Sequence, residues 1–242
     1  MTPFTYSSDP IRIVFGAGAL SALAAEADFH KMSRLLVLCS KNRADYARRL
    51  TASLGDRVID ICNASAPNMP RDAFDRIVAE LKRIDADGFV VIGGGSPIGL
   101  GKAAAAATKL PYIAVVTTYS GSEMAARWYV GVADKRINGN DVACLPATAI
   151  YDPELTLDLP ARTSAASGMN AVAHAVESLY VRACGLTRRQ VLLDHPGRGG
   201  RRQLQPSRGD SDPRDVVVHA GLEEVLTGAI ATIGDGIPGE GH

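Results

Sequence analysis

The 242-residue chain predicts an α/β fold, a Rossmann-like parallel sheet covered by helices on both faces. Three observations carry that expectation. Short, continuously apolar runs such as Leu35-Leu36-Val37-Leu38-Cys39 alternate with segments of helical spacing, the pattern of strands buried on both sides. The run Phe89-Val90-Val91-Ile92 stops at Gly93-Gly94-Gly95, and the alanine-rich stretch Ala103 to Ala107 follows, which reads as strand, tight loop and helix. A hydroxyl-rich segment, Thr117 to Glu123, directly follows another apolar run, Tyr112 to Val116. Two polar loops then share the carboxyl edge of one sheet, where ligands bind in such folds.

Element by element, Ile11 to Phe15 reads as an opening strand and Ala19 to Ala27 as a helix. Leu35 to Cys39 is the second strand, and Ala44 to Leu54 a helix with Gly55 just past its end. Val58 to Ile61 is a short third strand. Asp72 to Ile84 places Phe74, Ile77, Val78, Leu81 and Ile84 on one helical face. After the glycine loop, its helix and the strand 112–116, strand character returns at Trp128 to Ala133 and Val142 to Tyr151, with Lys135 to Asn140 as a polar turn between them. Asp152-Pro153-Glu154-Leu155 and Leu159-Pro160 break the pattern and set a boundary, and a helix spans about Met169 to Tyr180.

Glycine at 93, 94 and 95 leaves no Cβ between the backbone and a ligand, and it permits positive φ. With the helix N-terminus behind the loop, a diphosphate is the anion this construction suits best. Gly93, Gly94, Gly95, Ser96, Thr117, Thr118 and Ser122 are therefore the expected cofactor contacts. The loop lacks the Gly-Lys-Ser/Thr ending of a P-loop, and roughly 85 residues precede it, so it is not the usual first-turn fingerprint. Ser40 ends the second strand where a strict NAD site carries a carboxylate; with Lys41 and Arg43 beside it, either NADH or NADPH is expected.

Acidic and basic residues balance at 26 each, which gives no reason to invoke nucleic acid or a membrane surface as partner. No run approaches the roughly 20 apolar residues of a spanning helix and the first residues lack a signal peptide's pattern, so a cytoplasmic protein is expected. The cysteines Cys39, Cys62, Cys144 and Cys184 have no metal-type spacing and read as reduced structural thiols.

Four ordered motifs carry a family resemblance: Gly93-Gly94-Gly95-Ser96; Thr117-Thr118 with Gly121-Ser122-Glu123; Tyr151-Asp152-Pro153-Glu154-Leu155; and Ser167-Gly168-Met169-Asn170-Ala171 with His174-Ala175. On these the chain resembles the iron-containing alcohol dehydrogenase family over about residues 10 to 181, and within it the maleylacetate reductases. The resemblance implies a dinucleotide-binding domain (residues 1–158) followed by the start of an all-helical substrate domain (residues 159–181), as in dehydroquinate synthase-like architectures. It implies reduction of maleylacetate to 3-oxoadipate in aromatic catabolism, a dicarboxylate substrate and a family-type homodimer. Metal-dependent relatives carry Asp where this chain has Gly99 and Asn170. A neutral amide is a weaker partner for a divalent cation than a carboxylate, so a tightly held metal is not expected. Asn170 and His174, four apart on one helix, are the catalytic candidates, and Arg127 is a weaker one for a substrate carboxylate. The alternatives are a metal-dependent alcohol or glycerol dehydrogenase and, from another class, a non-catalytic nucleotide-binding remnant.

Residues 182–242 change character: they contain no Phe, Tyr, Trp, Met, Lys or Asn but eight arginines and eleven of the 24 glycines, which leaves few apolar anchors for a folded domain. The gain of GC-rich codons and loss of AT-rich ones fits DNA read out of frame, so an aberrant tail and little or no turnover are expected. A basic tail with a binding role and a divergent helical subdomain are the competing readings.

Overall fold

The structure, a computed structural model, describes residues 11–132 and 135–180. Ile11–Thr156 is one compact unit, and the described residues beyond it belong to a second. The expectations for residues 182–242, for Cys184 and for the N-terminal residues concern positions outside those described.

Six strands form a wholly parallel sheet: β1 (Arg12–Phe15), β2 (Leu35–Ser40), β3 (Val58–Ser65), β4 (Gly88–Gly93), β5 (Tyr112–Val116) and β8 (Thr148–Tyr151), in the order β1-β8-β5-β4-β2-β3. The connecting helices are α1 (Leu23–Phe29), α2 (Ala44–Leu50), α3 (Arg71–Arg83) and α4 (Gly95–Thr108). Because alternate strand residues face opposite ways, Leu36, Leu38, Phe89, Val91 and Ala114 pack with α3 and α4 on one face, and Leu35, Val37, Val90, Ile92 and Val115 with α1 and α2 on the other. On the first face the rings of Phe89 and Tyr112 stack with centroids 5.1 Å apart, and the Tyr112 hydroxyl donates to the Cys144 carbonyl at 3.0 Å. Cys39, Cys62 and Cys144 are buried and unbridged.

Several expected boundaries move. Ala19–Ala22 is a 3₁₀ turn ahead of α1, and the second helix stops at Leu50 before a 3₁₀ stretch, Ala52–Arg57, in which Gly55 has a φ of 55°. Lys135–Asn140 is a strand, β7, rather than a turn; it pairs antiparallel with β6 (Arg127–Val132). Its polar residues hid it, but Arg136 covers the Tyr129 ring at 4.8 Å and Ile137 stands opposite Val130, cross-strand pairs suited to a solvent-facing hairpin. Only Thr148–Tyr151 of the segment 142–151 is strand; Val142–Cys144 is a 3₁₀ turn, in which the Ala143 amide donates to the Asp141 side chain at 2.9 Å.

In the second unit, α5 (Ala161–Tyr180) starts eight residues before the expected Met169, directly after Pro160. Its early serines fit a helix: the Ser167 hydroxyl donates to the Thr163 carbonyl at 2.8 Å. Among the described residues no helix is long and apolar enough to cross a membrane.

Candidate functional site at the carboxyl edge of the sheet

From β2 the chain moves outward to β3, whereas from β4 it moves the other way to β5. The crevice outside the carboxyl ends of β2 and β4 is thus the topological switch point of the sheet. Ser40 ends β2 and Gly93 ends β4. The Thr117 amide, just past β5, donates to the Gly93 carbonyl at 3.1 Å, which holds the hydroxyl-rich segment beside the glycine loop. Ser40, Gly93, Gly94, Gly95, Ser96, Thr117, Thr118 and Ser122 all lie at this one edge, whereas Arg127 lies apart at the exposed start of β6.

The three glycines are required for different reasons. Gly93 has a φ of 143°, and a Cβ there would stand 2.7 Å from Pro97 Cγ. At Gly94 a Cβ would lie 2.4 Å from Thr118 Oγ1, so this position serves packing between the two loops rather than ligand access. Gly95 differs from both: it opens α4 with negative φ, and a Cβ there would meet no protein atom within 4 Å. No side chain caps α4, and no acid stands in its first turn. The amides of Gly95 and Ser96 have no intrahelical acceptor by helix geometry, and Pro97 has no amide hydrogen to offer. Partly exposed amides at the start of a 14-residue helix, beneath open space, fit a phosphate group.

Beneath the loops lies a polar cluster that the sequence did not suggest. Lys102, only 3% exposed, reaches from α4 to donate its Nζ to the Ser122 carbonyl at 2.6 Å. Glu123, 1% exposed, accepts the Tyr151 hydroxyl at 2.7 Å through Oε1, while its Oε2 is buried without a hydrogen-bond partner. Burial pushes the Glu123 carboxyl above the usual carboxylate range despite the Tyr151 hydrogen bond and the nearby Lys102. Burial and the adjacent Glu123 likewise drive the Tyr151 phenol well above its ordinary value. Thr118 Oγ1 and Ser65 Oγ are also buried without partners among the described residues. Asp152 has a structural task, accepting the amides of Gly18 at 3.2 Å and Leu20 at 3.1 Å and so tying the carboxyl ends of β1 and β8.

At Gly99 the space that a side chain would take is filled: a Cβ would lie 2.1 Å from the Met69 sulfur. Met69 is itself held in the left-handed region, with φ 48°, and its carbonyl accepts the Gly131 amide at 2.8 Å. An aspartate at 99 therefore requires Met69 to move. Asn170 and His174 both lie on α5. Among the described residues no three His, Cys, Asp or Glu side chains group as metal ligands. A groove of about 390 Å³ lined by Arg48, Thr51, Gly55 and Val58–Ile61 lies at the amino half of β3, the opposite end of that strand from the crevice.

Residues 10–153 match the family model described as iron-containing alcohol dehydrogenase. The chain belongs to the iron-containing alcohol dehydrogenase family. It is 42% identical over 177 residues to a maleylacetate reductase of Sphingobium indicum, an alignment covering 73% of this chain and 50% of that protein. With a maleylacetate reductase of Burkholderia cepacia the identity is 43% over 182 residues, covering 74% and 51%. Among solved structures, the maleylacetate reductase from Agrobacterium tumefaciens aligns with a TM-score of 0.72 at 38% identity, covering 75% of this chain and 52% of that one. The chain spans about half the length of the curated relatives it matches. The iron-containing alcohol dehydrogenase match contains every cofactor-side candidate, while Asn170 and His174 lie beyond it.

Proposed function

We propose that this chain supplies the dinucleotide-binding portion of an NAD(P)H-dependent reductase that converts maleylacetate, or a closely similar unsaturated dicarboxylate, to 3-oxoadipate. The relatives near 40% identity that carry the name maleylacetate reductase support the reaction. The observation that carries the cofactor site is Gly95, a glycine that neither packing nor backbone conformation demands, at the uncapped start of α4. When bound, the nicotinamide supplies hydride to the substrate double bond. The chain's own contribution is orientation and charge stabilisation. The Gly95 and Ser96 amides would hold the diphosphate, with Thr117, Thr118 and Ser122 as further hydrogen-bonding groups beside it and Ser40 on the adenosine side. Asn170 and His174, the catalytic candidates on α5, would hydrogen-bond the enolate oxygen formed when hydride adds to the double bond, and a proton from solvent would complete the reduction at the adjacent carbon.

We read the reaction as independent of a tightly bound metal, because an amide at Asn170 stands where metal-dependent relatives present a carboxylate. A cytoplasmic homodimer is the assembly we propose. Loss of NADH or NADPH absorbance when maleylacetate is added to an intact close relative, undiminished by a chelator, tests this reading, this chain itself being expected to turn over little; oxidation of simple alcohols that stops with chelator and returns with iron would replace it with a metal-dependent dehydrogenase.

A further inference from the structure

Which adenosine ribose the crevice accepts is decided at the carboxyl ends of β2 and β3. A site built for NAD places a carboxylate at the end of the second strand to accept the ribose 2′-hydroxyl. Here β2 ends at Ser40 and β3 at Ser65, the two paired in register. The loop that follows is fixed over both ends: the Lys41 amide donates to the Ser65 carbonyl at 3.3 Å, the Arg43 amide donates to the Ser40 carbonyl at 3.1 Å, and Asn42 takes a φ of 66°. Residues 40–43, 64–70, 93–97 and 117–122, which border the crevice, contain no Asp or Glu. They do contain Lys41 and Arg43, both exposed, and neither belongs to an ion pair among the described residues. The nearest carboxylate along the chain, Asp45, is engaged by Arg48 at 2.6 Å, and Glu123 is buried against Tyr151. The Arg43 guanidinium lies over the Tyr46 ring, with Cζ 5.5 Å from its centroid, which limits the freedom the side chain must lose on binding an anion. Ser65, 2% exposed, keeps a hydroxyl without a partner among the described residues.

NADPH differs from NADH by a phosphate on the adenosine 2′-oxygen. At this position that phosphate meets two cations that join no ion pair among the described residues, and a loop without carboxylates, and a guanidinium can engage it through two parallel hydrogen bonds. Building on the dinucleotide reading above, we propose that the crevice selects NADPH over NADH, with Arg43 and Lys41 pairing with the 2′-phosphate and Ser40 standing where a carboxylate would reject it.

Calorimetric titration of the full chain with NADPH and with NADH, at one ionic strength, tests this. NADPH binds more tightly by about tenfold to a hundredfold, the worth of a charge-assisted hydrogen bond. Arg43→Ala lowers that ratio and leaves NADH affinity unchanged, Ser40→Asp reverses the preference, and raising the salt shrinks it. Equal affinities, a preference for NADH, or a preference that survives Arg43→Ala with Lys41→Ala overturns the specificity and leaves the dinucleotide site standing. Binding of neither nucleotide overturns both.

Discussion

Substituting Gly95 separates a glycine kept for a ligand from one kept for the fold. A Cβ at 95 meets no atom of the described residues within 4 Å, and the position has negative φ, so Gly95→Val adds no clash at the Cβ and no backbone strain. In helical surroundings the change from glycine alters folding stability by at most ~0.5 kcal/mol, and in the favourable direction. The same side chain projects into the space above the Gly95 and Ser96 amides. Displacing a phosphate from one such charge-assisted hydrogen bond costs about 1.5–3 kcal/mol, a loss of about tenfold to a hundredfold in NADPH affinity. Gly94→Ala carries the opposite signature, because its Cβ lies 2.4 Å from Thr118 Oγ1, and overpacking of this kind costs about 1–3 kcal/mol of stability. Urea unfolding and calorimetric titration on both variants give four numbers. Unchanged affinity in Gly95→Val, with wild-type stability, refutes the assignment of the amides at the start of α4 to the diphosphate.

Other consequences follow from the buried groups. Because burial raises the Glu123 carboxyl above its unfolded value, the folded state favours the protonated form; that contribution is present at low pH and is lost as pH rises from the ordinary carboxylate range through the folded value. His30, lowered chiefly by burial, contributes the opposite slope, so the readout is the difference between wild type and Glu123→Gln: urea midpoints at pH 5 and 8 show a loss with rising pH in the wild type that the variant lacks, and identical slopes count against the account. Gly99→Asp forces a carboxylate against the Met69 sulfur and costs more than ~3 kcal/mol, with partial recovery in the double variant with Met69→Ala; wild-type stability for Gly99→Asp alone shows that the space is not filled. Lys102→Met removes the donor to the Ser122 carbonyl and weakens nucleotide binding more than it lowers stability, as parallel titration and unfolding would reveal.

The parallel sheet was legible because its central strands β2, β4 and β5 are buried on both faces, so each appears as a near-continuous apolar run between helical segments. The strand Lys135–Asn140 was not: it is almost wholly exposed, and its stabilising partners, Tyr129 and Val130, lie on the neighbouring strand β6. The glycine loop could be read as a site, yet sequence gave all three glycines one role where the structure distinguishes φ at Gly93, packing at Gly94 and open space at Gly95. Lys102 sits in an Ala/Gly-rich helix, where no local pattern marks it as buried; only the fold brings it to Ser122. Glu123 and Tyr151 meet across 28 residues of sequence, a separation at which no local pattern signals a contact.

The central claim, a dinucleotide held at the β2/β4 switch point through the start of α4, is tested most directly by a crystal structure of the chain grown with NADPH. The account predicts a diphosphate oxygen within about 3 Å of the Gly95 and Ser96 amides and the adenosine ribose beside Ser40. Nucleotide density elsewhere, such as the groove between α2 and the amino half of β3, with the Gly95 amide facing solvent, would contradict it.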